Sequence, residues 1–143
     1  MITYVDTSVL VKLLVSDEVG ADIAQRVWMA SDHVVCAEIG WVEARAALAS
    51  AARAKRFSAR AHTAAKRELA ELWRQLDVVP VSSSVVAQAG ELAEQEGLRG
   101  YDAVHLAAAV AAGADVVATA DQQLLTAARR NHIDTADPTT PGA

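Results

Sequence analysis

Four carboxylates stand out for where they fall in the chain. Asp6 closes the β-branched run ITYV, and Glu43 lies inside EIGWVEARAALASAA. Asp102 opens the alanine-rich segment YDAVHLAAAVAAG, and Asp121 follows DVVAT. Acids that share a site repel one another, so such a cluster persists only if some stay protonated or a cation neutralises them. Neither histidine nor cysteine recurs in the pattern, and an all-oxygen donor set suits a hard ion such as Mg²⁺ or Mn²⁺. An ion of that kind can orient a water, lower its pKa and stabilise the charge that builds on a phosphodiester during in-line displacement. Each acid also has a structural reading. Asp6, Asp102 and Asp121 suit helix N-caps, and Glu43 can reach solvent or pair with Arg45. What favours the joint reading is position: three acids at strand or helix ends, and one carboxylate on a stripe with Ile39, Val42, Ala46 and Ala47, where it is costly without a partner.

The elements that would have to position these acids can be read from periodicity. Short β-branched runs at 2–5, 33–37, 78–81 and 115–119 alternate with helical patterns at about 7–15, 18–31, 38–54, 58–76, 83–97, 102–112 and 121–131. No two-residue turn joins the runs, so the alternation predicts an α/β fold with a parallel sheet covered by helices on both faces. Thr7, Ser58, Ser84, Asp102 and Asp121 suit helix starts, and Gly97 and Gly113 suit helix ends. In such a sheet ligands bind outside the carboxyl ends of the strands, and Asp6 and Asp121 belong to that rim. Asp115 begins the run that Asp121 follows, about 20 Å away at ~3.3 Å per residue, and belongs to the opposite rim. Residues 1–132 read as one domain, and the polar tail 133–143, DTADPTTPGA at its end, as disordered.

Composition narrows the class. The chain has 143 residues, of which 52% are hydrophobic, but 32 of these are alanine, which favours helix and adds little core volume. The net charge is -5, so no overall positive field attracts nucleic acid or an anionic membrane; a polyanionic substrate needs a local basic patch or a bound cation. Cys36 is the single cysteine, which excludes an internal disulfide and a cysteine-based zinc site, and it reads as a small core residue. The N-terminal residues lack the features of a signal peptide, and no run approaches the ~18 apolar residues of a membrane span. A soluble, cytoplasmic protein without membrane contact is expected.

The order VDTSVLV, WVEARAAL, YDAVHLAAA and VVATADQQL, spread from residue 2 to residue 131, resembles the PIN-domain nucleases, and especially the VapC toxins of bacterial toxin–antitoxin pairs. The resemblance implies a PIN-like three-layer sandwich with a mostly parallel central sheet of four or five strands. It further implies a Mg²⁺- or Mn²⁺-dependent endoribonuclease in which Asp6, Glu43, Asp102 and Asp121 form the catalytic set. Asp6 and Asp102 match the metal-binding positions, Asp121 completes the pocket, and Glu43 holds or activates the water. Ser8 and Thr119 match hydroxyls that line such sites, while also suiting a helix cap and a strand end. The implied partners are an RNA substrate, a second copy in a homodimer, and a cognate antitoxin whose C-terminal segment crosses the groove and places an arginine near the acids.

Eight of the 13 Lys and Arg residues lie between Arg45 and Arg74, the one basic feature of an acidic chain and a candidate grip on the RNA backbone; interleaved Glu68 and Glu71 suit an ordinary solvated face equally. Trp28, Trp41 and Trp73 suit the core or an interface. His105, one helical turn past Asp102, reads as a packed or supporting side chain rather than an acid–base group. The chain lacks the second aspartate of haloacid-dehalogenase-like phosphatases, where Ser8 stands instead, and no lysine follows Lys66 as a response-regulator receiver requires. Nor does it carry a Walker A, GxGxxG or GxSxG motif. The remaining alternative is a non-catalytic module whose acidic groove binds a basic peptide.

Overall fold

The computed structural model describes residues 1–140. The five strands among them are β1 (Ile2–Val5), β2 (His33–Ala37), β3 (Asp77–Val79), β4 (Val116–Ala118) and β5 (Asp134–Ala136). They form one fully parallel sheet in the order β3-β2-β1-β4-β5. The helices are α1 (Thr7–Leu14), α2 (Ala21–Ala30), α3 (Ile39–Arg53), α4 (Ala59–Gln75), α5 (Ser83–Glu96), α6 (Gly100–Ala111) and α7 (Gln122–Arg130). The parallel α/β sandwich predicted from the alternation is the observed fold.

The period-two alternation of strand side chains divides the interior into two layers. Tyr4, Val35, Ala37 and Val117 face one core together with α5, α6 and α7; Val5, Val34, Cys36 and Ala118 face the other with α1 to α4. Helix α6 is buried along most of its length, and Ala103, Ala107, Ala108 and Ala109 let it lie close to the sheet and α5. Gly40 does the same for α3, since a Cβ there would stand 2.5 Å from the Cys36 sulfur. Trp28, Trp41 and Trp73 pack on the second core, with Trp41 and Trp73 edge to face at 5.6 Å. Cys36 is a buried free thiol, pushed above its usual range chiefly by burial.

Three expectations are corrected. The tail does not begin at 133: Asp134–Ala136 pairs with β4, and Asp137 accepts from Gln122, Thr139 and Thr140. Composition marked this segment as polar, yet strand pairing and the Asp137 turn satisfy its backbone. Residues 141–143 of the expected tail lie outside the described residues. Helix α2 starts at 21 rather than 18, because Gly20 adopts φ +87° and leaves no room for a Cβ, which would meet the Pro138 carbonyl oxygen at 2.4 Å. Ser82 caps α5 by accepting from Val85 N, and Ser84, which suited a cap or the first turn, lies in that first turn. Finally, Val42 and Ala46 are exposed, and the buried stripe of α3 is Gly40, Ala44 and Leu48, so Glu43 stands at its edge.

Candidate active site

The chain runs from β1 to β2 and β3 on one side, then crosses to β4 on the other side of β1. Strand order therefore reverses between β1 and β4, and the carboxyl ends of these two strands open the crevice where α/β sheets bind ligands. Val5 is in register with Ala118, which sets Asp6 beside Thr119. Asp115 lies at the other rim, its carboxylate accepting from Ile2 N at the amino end of β1.

Asp6 is 6% exposed and is held by hydroxyl groups. Its Oδ1 accepts from Ser8 Oγ at 2.6 Å and from Val9 N at 3.4 Å; its Oδ2 accepts from Thr119 Oγ1 at 2.5 Å. Each hydroxyl also accepts a backbone N–H from the turn after β4, Ser8 from Ala120 and Thr119 from Asp121, both at 3.0 Å. A hydroxyl has one proton, so both must donate toward Asp6. Burial pushes the Asp6 carboxyl above its ordinary range, and these hydrogen bonds only partly offset it. The cap and the site are thus one residue: Asp6 is the N-cap of α1 and the innermost acid of the rim.

Glu43, 30% exposed, accepts at Oε1 from Thr7 Oγ1 at 2.8 Å and faces His105 Nε2 at 2.6 Å. Partial burial raises its pKa, but the contacts with His105 and Thr7 outweigh that and hold it below the usual range. Its Oε2 has no hydrogen-bond partner among the described residues. Of the alternatives of solvent, Arg45 or a basic residue elsewhere, the partner is His105; the Arg45 guanidinium lies over the Trp41 ring at 5.7 Å.

The outer acids are joined by a residue that sequence reasoning missed. Arg99, at the N-cap of α6, lays its guanidinium between Asp102, with Nε 3.3 Å from Oδ2, and Asp121, with NH2 3.5 Å from Oδ2. Asp121 uses Oδ1 to cap α7 through Gln123 N and Leu124 N and turns Oδ2 to the rim. Asp102 and Asp121 are 16% and 26% exposed, Arg99 78%. The signal for Arg99 was its position three residues before Asp102, one helical turn away. An open groove of about 460 Å³, lined by Gly97, Arg99, Asp121, Gln122 and Gln123, continues from this end.

Glu43 accepts from Thr7, the residue after Asp6, while a separate run of contacts leads from Asp6 through Thr119 and the Asp121 N–H to Arg99 and Asp102; three of the predicted acids share this run, and Glu43 stands beside it on Thr7 and His105. The donors suit a hard divalent cation: all the acids offer oxygen, and the outer pair already attracts a positive group. Among the described residues no three His, Cys, Asp or Glu side chains form a ready metal cage. Mg²⁺ does not require one, because it keeps several waters and takes one or two carboxylates.

A family model described as PIN domain matches residues 3–130. The chain is 38% identical over 129 residues to Ribonuclease VapC45 of Mycobacterium tuberculosis, covering 89% of each. Its fold is like that of Mycobacterium tuberculosis VapC20, a sarcin–ricin loop cleaving toxin, with a TM-score of 0.68 at 22% identity over 87% of this chain and 94% of that one. It is also like a toxin–antitoxin complex from Klebsiella pneumoniae, with a TM-score of 0.68 at 16% identity over 95% and 97%.

Proposed function

The chain belongs to the PIN-domain family, and from that premise we propose that it is a divalent-cation-dependent endoribonuclease, the toxin of a toxin–antitoxin pair. The observation that carries the reading is the run of contacts from Asp6 through Thr119, Asp121 and Arg99 to Asp102 at the reversal point of a parallel sheet, with Glu43 held beside it by Thr7. The ribonuclease relative at 38% identity supports RNA as the substrate.

Asp6 and Asp102 would hold Mg²⁺ or Mn²⁺, which supplies a water of lowered pKa and neutralises charge on the phosphodiester. The chain's own groups do the rest. Ser8 and Thr119 clamp Asp6, so its carboxylate needs no reorganisation when the site fills. Glu43, with Oε1 occupied and Oε2 free, accepts a proton from the attacking water. Asp121 completes the acidic rim, and Arg99 is the cation that a phosphate meets there. Farther out, Arg53, Lys55 and Arg60 are exposed at the α3–α4 turn, about 15 Å along α3 from Glu43 at ~1.5 Å per residue. They suit the RNA backbone; Arg56 and Arg74 are already paired, with Glu18 and Glu71.

The antitoxin partner rests on the likeness to toxin–antitoxin complexes, and the homodimer on the family resemblance alone. No helix among the described residues is long and apolar enough to cross a membrane, in keeping with a cytoplasmic site of action. One observation favours a second reading, a module that only binds a basic peptide: the rim between Asp102 and Asp121 already accepts an arginine.

Purified protein incubated with total cellular RNA and Mg²⁺ or Mn²⁺ should give discrete cuts. They should vanish with chelator and in the Asp6→Asn, Asp102→Asn double variant. Intact RNA in the presence of folded, metal-loaded protein would move the assignment to the binding module.

A further inference from the structure

Tyr4 lies fully buried in β1, and its phenol oxygen accepts the Ala37 N–H at 3.0 Å. The hydroxyl proton needs an acceptor of its own, and Nδ1 of His105 stands 2.5 Å away. A ring nitrogen that accepts carries no proton, so in the neutral imidazole the proton is on Nε2, and Nε2–H points at Glu43 Oε1. The donors Ala37 N–H, Tyr4 O–H and His105 Nε2–H therefore all run one way and end on one oxygen of Glu43. The rings meet edge to face at 5.8 Å, which fixes the imidazole plane. With Thr7 donating to the same oxygen, Oε2 is the oxygen left for solvent.

We propose that His105, locked by Tyr4, is the positioning residue that aims Glu43 at the reacting water. The proposal rests on the reading of Glu43 as a catalytic acid–base group. It explains why an imidazole occupies an alanine-rich helix face: His105 is 3% exposed, and each ring nitrogen has a partner.

The test compares His105→Asn with His105→Gln. The asparagine amide reaches only the Nδ1 position, whereas the glutamine amide reaches the Nε2 position and can donate to Glu43. On an oligoribonucleotide spanning a cut site mapped in total RNA, His105→Asn should lower kcat by about 10–100-fold, the usual effect of losing a group that orients a functional side chain. KM should be unchanged, and His105→Gln should recover part of the loss. In a Glu43→Gln background His105→Asn should cost nothing further. A kcat within twofold of the parent in His105→Asn, or an equal loss in both backgrounds, overturns the proposal. If the His105 variants do not fold, ¹⁵N spectra of the parent and Tyr4→Phe decide. The parent should show a single Nε2-protonated ring and Tyr4→Phe a mixture; a parent protonated on Nδ1 or on both nitrogens refutes the lock. If Glu43→Gln leaves cleavage intact, the reading of the site fails instead, and the ¹⁵N spectra still judge the lock.

Discussion

The two ends of the acidic rim are built on opposite principles. At the inner end Asp6 is buried at the junction of β1 and β4 and faces neutral hydroxyl and amide donors, so its charge is expensive and its geometry fixed. At the outer end Asp102 and Asp121 are partly exposed and share an arginine that solvent reaches freely. Burial without a counter-charge holds a carboxylate rigidly but leaves it unneutralised, whereas an exposed ion pair neutralises charge and rearranges at little cost. The inner acid is suited to anchor a cation, and the outer pair to adapt as ligands enter.

The largest expected effect tests the inner end. Asp6→Asn should reduce cleavage by at least about a thousandfold, roughly 4 kcal/mol of barrier. Its Tm should also rise relative to the parent's as pH increases, because asparagine carries no buried charge, although an amide NH2 turned on a donating hydroxyl costs stability at every pH. The sign follows from the raised pKa: below the ordinary aspartate range Asp6 is neutral in both states, and the parent loses stability as pH rises from that range through the folded-state value. The Tm gap between parent and variant should open over that interval; a gap constant with pH would refute a buried, unneutralised charge at Asp6.

A smaller effect separates the two roles of Asp121. Asp121→Ala should lose the cap and about 1 kcal/mol, lowering Tm by about 2–4 °C, while Asp121→Asn should melt near the parent. Both should lose cleavage equally. Full activity in Asp121→Asn would make this residue a cap alone.

The smallest effect belongs to Arg99. Arg99→Ala should tighten Mn²⁺ binding by about two- to fivefold, the scale of an exposed ion pair, with Tm almost unchanged. Calorimetric titration measures it, and an unchanged affinity would mean that the guanidinium does not compete with the cation.

Much of this was readable before any coordinates. The helices were recoverable because alanine-rich amphipathic segments carry their own periodicity, and four strands because β-branched runs punctuate them. Residues 134–136 escaped because DTA has no hydrophobic pattern; it becomes a strand only because β4 offers it an edge. His105 was read as a supporting residue, yet the part played by Tyr4 was invisible, since a tyrosine in a core strand is ordinary. Arg99 was overlooked because an exposed arginine beside an aspartate is common on helices.

The sequence by itself determined the α/β alternation, the placement of acids where strands end, and the family to which the chain belongs, because these depend on local periodicity and on residue order. Only the tertiary structure decided that the cap and the site are the same aspartates, that the hydroxyls of Ser8 and Thr119 must donate inward, and that an arginine bridges the outer pair. Those features depend on which oxygen of a carboxylate faces which donor, and that is set by contacts between residues 22, 112 and 113 positions apart, which no local pattern carries.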